Sequence, residues 1–324
     1  MKAASIARAA VALAAVAPCV AFAAGPYPSR PIRMIVAFAP GGGTDIIARI
    51  VAQGIGTALK QQVVVENRPG AGGNIGTELA ARSAPDGYTL ITSGTGAHAI
   101  NPSLYANIPY DAINDFTPVS LVASTPYLMV VHPSVAAKSV QEFIALAKAK
   151  PGALNMASSG NGGMPHLAGE LFQLMAQVRL THVPYKGTGA VFPDLIGGHV
   201  QVLFGDIVAT SPHVTSGKLR ALGITSPERS PNLPGIATIA ESGVPGYDAV
   251  GWFGVFAPAG TPKDIVSRLN AAIREHVQQP EMKARLSSLG ADVVASTPEA
   301  FAEKQRADLE RWAKVIKAAN VRIE

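Results

Sequence analysis

The sequence predicts an α/β protein of two lobes, each a doubly wound sheet, joined by two crossing hinge strands. Three observations carry that expectation. Residues 32–38 are almost continuously apolar and run through Gly41-Gly42-Gly43 into a helical stripe, the pattern of a strand buried on both faces of a parallel sheet. The same alternation of strand and helix returns after residue 140. Between the two halves, and again far downstream, lie extended apolar runs fenced by proline, residues 126–133 and 252–258.

Taken in order, the strand at 32–38 leads to a helix carrying Ile46, Ile47, Ile50, Val51 and Ile55 at helical spacing. A strand at 63–66, a helix at 74–83 and a strand at 88–93 after the Pro85-Asp86-Gly87 turn complete a βαβαβ unit, half of a doubly wound sheet. The second unit alternates helices at 140–148, 165–176 and 189–196 with strands at 154–157, 181–185 and 200–204. The runs at 126–133 and 252–258 let the chain leave the first lobe, build the second and return. Helices at 262–278 and 298–317, around a strand at 291–295, then pack on the first lobe. The expected division is a discontinuous first domain, 24–127 plus 256–324, and a second domain, 128–255. Ligands of open α/β sheets sit at the carboxyl ends of the strands, so both sheets should aim those ends into the cleft.

Residues 1–10 carry Lys2 and Arg8, residues 11–23 are an alanine-rich apolar run, and Ala21-Phe22-Ala23 fits a secretory cleavage site. The expected signal peptide is 1–23, with a mature periplasmic chain starting at Ala24. Cleavage there removes Cys19, the one cysteine, and Pro18 beside it argues against lipidation. A disulfide framework, thiol catalysis and a cysteine metal site are then excluded. No later stretch approaches the roughly 18 to 20 apolar residues of a membrane helix. Losing residues 1–23 takes two of the 27 basic residues and none of the 22 acidic ones, leaving a formal charge of +3. Without a basic run, nucleic acid is not an expected partner, whereas a weak positive field suits small anions.

The strand ends hold the informative residues. After the first strand come Ala39-Pro40-Gly41-Gly42-Gly43-Thr44-Asp45, and after the third Ser93-Gly94-Thr95-Gly96-Ala97-His98. The second lobe offers Ser158-Ser159-Gly160-Asn161-Gly162-Gly163, Lys186-Gly187-Thr188-Gly189 and Gly205-Asp206. Glycine lets backbone N–H groups approach a ligand, and the free N–H groups and dipole of a helix start favour an anion. Four or five hydrogen bonds to a charged group, at roughly 1.5 to 3 kcal/mol each, less the cost of association, leave about −8 kcal/mol, near micromolar affinity. The candidate ligand contacts are Phe38, Gly42, Gly43, Thr44, Asp45, Ser93, Thr95, Ser159, Gly160, Asn161, Lys186, Gly187, Thr188, Gly189 and Asp206. Plainer roles compete at several of them: a ligand-free turn at 41–43, an N-cap at Thr44 or Asp45, a solvated Lys186, and core packing for Phe38 and Phe204.

Catalytic and cofactor motifs are missing. There is no G-x-S-x-G elbow, no G-x-x-x-x-G-K-[ST] loop, and the 41–46 stretch lacks the last glycine of G-x-G-x-x-G. The seven histidines show neither H-E-x-x-H nor a paired i, i+4 arrangement, so no metal or cofactor is expected. His98 and His166, nearest to strand ends, read as hydrogen-bonded structural residues.

The stretches YPSRPIRMIVAFAPGGGTDIIAR (27–49), VVVENRPGAGGNIGTE (63–78), APDGYTL (84–90), GNGGMPHLAGELF (160–172), HVPYKGTG (182–189), SGKLRALGITSPERSPNLPGIATIAESGVPGY (216–247) and GVFAPAGTP (254–262) resemble the Bug family across essentially the whole mature chain. Those proteins are the periplasmic substrate-binding receptors of tripartite tricarboxylate transporters, with the type II, Venus-flytrap fold. The resemblance implies that the loops at 40–45 and 186–189 form a pincer on one ligand carboxylate, partly through water. It implies a monomer that hands a small carboxylate to membrane transporter subunits: a di- or tricarboxylate, an acidic amino acid, an aromatic acid or a nicotinate-like compound. Met164-Pro165 and Phe204-Gly205-Asp206-Ile207 depart from the family pattern, so the cargo does not carry over. Two other roles stay open on sequence alone: a ligand-sensing protein signalling to a periplasmic sensor kinase, and an exported α/β hydrolase.

Overall fold

The computed structural model describes residues 27–323 other than 39, 41, 42, 186, 187, 231, 232 and 289. The expected signal peptide and its cleavage site therefore lie outside the described residues. The chain opens with β1 (Ile32–Val36), α1 (Gly43–Leu59), β2 (Val63–Asn67), α2 (Asn74–Ala81) and β3 (Thr89–Gly94). In β1, Ile32, Met34, Ile35 and Val36 are completely buried, because the strand lies between parallel β2 and β3 with helices on both faces. A π-helical turn at Gly96–Ile100, α3 (Asn101–Leu104) and β4 (Phe116–Thr125) follow.

The second lobe comprises β5 (Tyr127–Val131), α4 (Val140–Ala149), β6 (Asn155–Ser158), α5 (Met164–Ala176), β7 (Thr181–Pro184), α6 (Phe192–Ile196), β8 (Val202–Asp206), α7 (Ile207–Thr215) and β9 (Arg220–Ile224). The chain returns through β10 (Gly251–Pro258), α8 (Lys263–Val277), α9 (Pro280–Ser288), β11 (Asp292–Val293) and α10 (Pro298–Ala318). Two sheets result, ordered β11-β4-β10-β3-β1-β2 and β7-β6-β8-β5-β9. Helix starts use expected chemistry: Ser139, Asp206 and Thr297 accept the N–H groups of Glu142, Ala209 and Ala300. No helix among the described residues is long and apolar enough to cross a membrane.

The two proline-fenced runs become β5 and β10, and each belongs to a single sheet. The chain crosses outward at Pro126, between the ends of β4 and β5, and returns just before Gly251, which pairs with Thr125. β10 pairs with β4 from Gly251 to Pro258, with register shifts after Phe253 and after Val255, so the expected break between 255 and 256 falls within a paired strand. Gly254 sits where β10 passes under α10, and a Cβ there would lie 2.1 Å from Phe301 Cζ.

The lobes share one continuous core, in which Ile35, Phe256 and Trp312 of the first join Phe143, Phe172 and Phe204 of the second. Two adjacent residues on the returning segment tie the lobes together. The hydroxyl of buried Tyr247 donates to the Ala168 carbonyl of α5 at 2.8 Å. Asp248 pairs with Arg311 (2.6 Å) and Lys304 (3.4 Å) of α10. Those two cations also reach Asp308 at 2.6 and 3.1 Å, and Asp308, 1% exposed, accepts the Trp252 indole N–H at 2.8 Å.

Candidate functional site

Strand direction alone brings the loops of both lobes to one place. β1, β3 and β4 end, and antiparallel β10 begins, on the same edge of the first sheet. On the second sheet β6, β7, β8 and β9 end, and β5 begins, on the edge that continues across Pro126. Where the edges meet lies a cavity of about 300 Å³ lined by Gly43, Ile46, Ile47, Thr125, Tyr127, Asp206, Ile207, Phe253 and Ala291. Each side chain is placed by an element terminus. Ile46 and Ile47 belong to the first turn of α1, Asp206 and Ile207 mark the β8–α7 junction, and Thr125 and Tyr127 flank the crossing proline. At the cavity wall, a Cβ on Gly43 would stand 3.1 Å from Phe253 Cζ.

The walls are mostly apolar. Asp206 uses one carboxylate oxygen to cap α7, accepting Ala209 N–H at 2.9 Å. It stands in register opposite Tyr127. The Tyr127 phenol is pushed well above its ordinary pKa, first by burial and then by the charge on Asp206, so it is a neutral hydroxyl at any working pH.

Of the sequence-predicted contacts, Gly43 and Asp206 line this cavity; Gly42, Lys186 and Gly187 lie outside the described residues. The others are not among the residues that line this cavity, and several are held by partners of their own. Thr44 and Asp45 are the second and third residues of α1, which starts at Gly43, so neither is its N-cap. The Asp45 carboxylate is buried and takes both Arg49, at 3.0 Å, and the Asn67 amide, at 2.9 Å. Phe38 packs its ring where a Cβ on Gly73 would come within 3.0 Å, and its carbonyl accepts from Asn67 at 3.0 Å. Ser93 is completely buried within the first lobe. Thr95 ties β3 to β10, accepting the Trp252 N–H at 2.8 Å.

Ser159, Gly160 and Asn161 belong to a loop whose Gly162 presses on Leu104 of the first lobe, 2.4 Å from where a Cβ would stand. Thr188 and Gly189 lie in a 3₁₀ turn, half-buried and exposed respectively. Tyr127 and Phe253 are cavity-lining residues that the sequence pattern did not point to. The available clue was position: each is the aromatic side chain near the start of a proline-fenced run, where the chain changes lobes.

Beneath the Ser159 loop, His166 and His182 stack face to face at 3.7 Å. His166 Nδ1 accepts the Gly162 N–H at 3.1 Å and its Nε2 lies 3.4 Å from Glu170, as a hydrogen-bonded structural residue should. His182 Nε2 is 2.6 Å from the Ser158 hydroxyl, and burial, then His166, push its pKa down to about 4 against the pull of Glu170.

His98 departs from the expectation. It is completely buried, stacked on Phe256 at 4.0 Å, and among the described residues neither ring nitrogen has a well-formed hydrogen bond. Burial pushes its pKa down to about 3, and the opposing carbonyl of Ala112 is already held by Gln305 at 2.7 Å. Both His98 and His182 therefore take up a proton more readily in the unfolded chain. Their stabilisation is complete above their unfolded pKa of about 6.5 and is lost as pH falls from there through 4 and on to 3. At about 1.4 kcal/mol per unit, His98 alone should remove several kcal/mol by pH 3. Thermal unfolding between pH 7.5 and 3.5 checks this: Tm should fall steadily below pH 6.5, and His98→Phe should flatten that limb.

Comparison with known proteins agrees with the two-lobed architecture. Residues 47–321 match the family model described as "Tripartite tricarboxylate transporter family receptor". Protein BugT of Bordetella pertussis is 41% identical over 299 residues, 92% of each chain. Among solved structures, Rpa4515 of R. palustris with adipate is 36% identical with a TM-score of 0.77, covering 92% of this chain and 100% of that one. MatC of Rhodopseudomonas palustris with bound malate is 34% identical with a TM-score of 0.73, covering 90% and 100%. A two-sheet fold whose loops converge on an interlobe cavity, in a chain so matched along its length, is a substrate-binding receptor and not an enzyme: it belongs to the tripartite tricarboxylate transporter receptor family, the Bug proteins.

Proposed function

We propose that this protein is a periplasmic solute receptor that binds a small organic carboxylate in the interlobe cleft and delivers it, as a monomer, to a membrane transporter of the tripartite tricarboxylate type. The observation that carries the reading is the cavity at the carboxyl ends of both sheets, with Gly43 at the start of a 17-residue helix in its wall. There the first N–H groups of α1 have no partner within the helix, and its dipole favours negative charge. The glycine loops at 40–45 and 186–189 are proposed to close on the carboxylate. Adipate and malate in the related structures support an acid as cargo, and the secretory pattern at 1–23 supports export.

Differential scanning fluorimetry of the mature protein against a panel of organic acids tests the proposal. A cognate acid at 100 times its dissociation constant should stabilise the protein by about 2.7 kcal/mol. Shifts with sugars or metal cations but with no organic acid would overturn the reading.

A further inference from the structure

The walls of the interlobe cavity speak to the kind of acid it takes. Ile46, Ile47, Ile207 and Phe253 supply its apolar surface, and Asp206 is the charged group among the described residues that line it. No lysine, arginine or histidine joins that lining among the described residues. The polar neighbour of Asp206 is Tyr127, whose hydroxyl is neutral and has no hydrogen-bond partner among the described residues. We propose that the cavity selects a monocarboxylate with an apolar body, a short alkyl chain or a single ring, and that Asp206 and Phe253 set this selectivity.

This rests on the receptor reading, in which the start of α1 beside Gly43 takes the ligand's one carboxylate. The rest of the molecule then extends between Phe253 and the isoleucines. An apolar body gains there by leaving water, and a ring gains further by packing on Phe253. A second carboxylate at the far end meets the opposite situation. It would be desolvated among aliphatic side chains, next to the like charge of Asp206, with no described cation to balance it. A protonated amine facing Asp206 is a charged substituent that the described lining tolerates.

Hexanoate and adipate make the decisive pair, since they share a six-carbon chain and differ in whether its far end is a methyl or a carboxylate. Isothermal titration calorimetry of the mature protein at pH 7.5 should show hexanoate, and likewise benzoate, binding at least tenfold tighter than adipate. Adipate binding as tightly as hexanoate, or tighter, overturns the inference while leaving the receptor reading in place. Failure of every acid in the wider panel overturns the receptor reading itself, and this inference with it. Asp206→Asn keeps a good helix cap and removes the charge, so it should narrow the gap between hexanoate and adipate at least threefold. An unchanged gap in a variant that melts like the parent removes Asp206 from the selectivity. Phe253→Leu, which keeps an apolar side chain, should weaken benzoate more than hexanoate; equal weakening removes the ring from the selectivity.

Discussion

Gly43→Val should lower ligand affinity at least a hundredfold while leaving the protein folded. Gly43 is solvent-exposed and does not lie in the left-handed region of backbone conformation, so valine meets no backbone strain there and only the Phe253 ring must give way. Valine is a better helix former than glycine, so helix propensity does not oppose the change. What changes is the cavity. The Cβ alone would sit 3.1 Å from Phe253 Cζ, and two methyl groups beyond it occupy the space where the ligand carboxylate must reach the α1 backbone. Calorimetry with the ligand found by the panel, beside a circular dichroism melt, checks both halves. Affinity within threefold of the parent would place the carboxylate elsewhere.

The largest effect on stability belongs to Asp308→Ala. Asp308 is 1% exposed and holds together three donors: the Trp252 indole, Lys304 and Arg311. Its removal leaves a buried indole N–H without its acceptor and two cations sharing only Asp248. Breaking a buried ion pair from one side costs about 3–5 kcal/mol, a fall in Tm on the order of 10 °C for a chain of this size. The exposed i, i+4 pair of Glu78 and Arg82 offers the comparison, because Glu78→Ala should cost only a few tenths of a kcal/mol. Calorimetric melts of the two variants, side by side, read the difference. A loss below 1 kcal/mol in Asp308→Ala would mean that the network is solvated.

What could be read from residues, and what could not, follows from which force shapes each part. β1, α1 and α5 were legible because burial on two faces, or along one stripe, writes a clear period into the sequence. β4 was not. Its run FTPVSLVAST mixes polar and apolar residues and carries Pro118, tolerated because the pairing with β10 shifts register nearby, between Val255 and Phe256. α9 was missed because only Met282 and Leu286 are buried along it, too few for a stripe. α7, with Pro212 inside it, hid behind its own helix breaker. The expected strand at 291–295 shrank to Asp292–Val293 because it pairs only with the end of β4.

The site divides in the same way. That glycine- and hydroxyl-rich loops follow the strands can be seen in one dimension. Which of their side chains turn inward is decided by partners distant in sequence, as when Asn67 and Arg49 claim Asp45 and Trp252 claims Thr95. Tyr127 and Phe253 become neighbours of the cavity only because β4, β5 and β10 meet at the crossing.

The placement of Trp252 has an optical consequence. The chain has two tryptophans, both completely buried in the first lobe. Trp252 adjoins Phe253 in the cavity wall, and its indole is bonded to the same carboxylate that holds Arg311 and Lys304, the partners of Asp248. Titrating the mature protein with organic acids while following intrinsic fluorescence should therefore show a ligand-dependent change from Trp252, which Trp252→Phe should abolish.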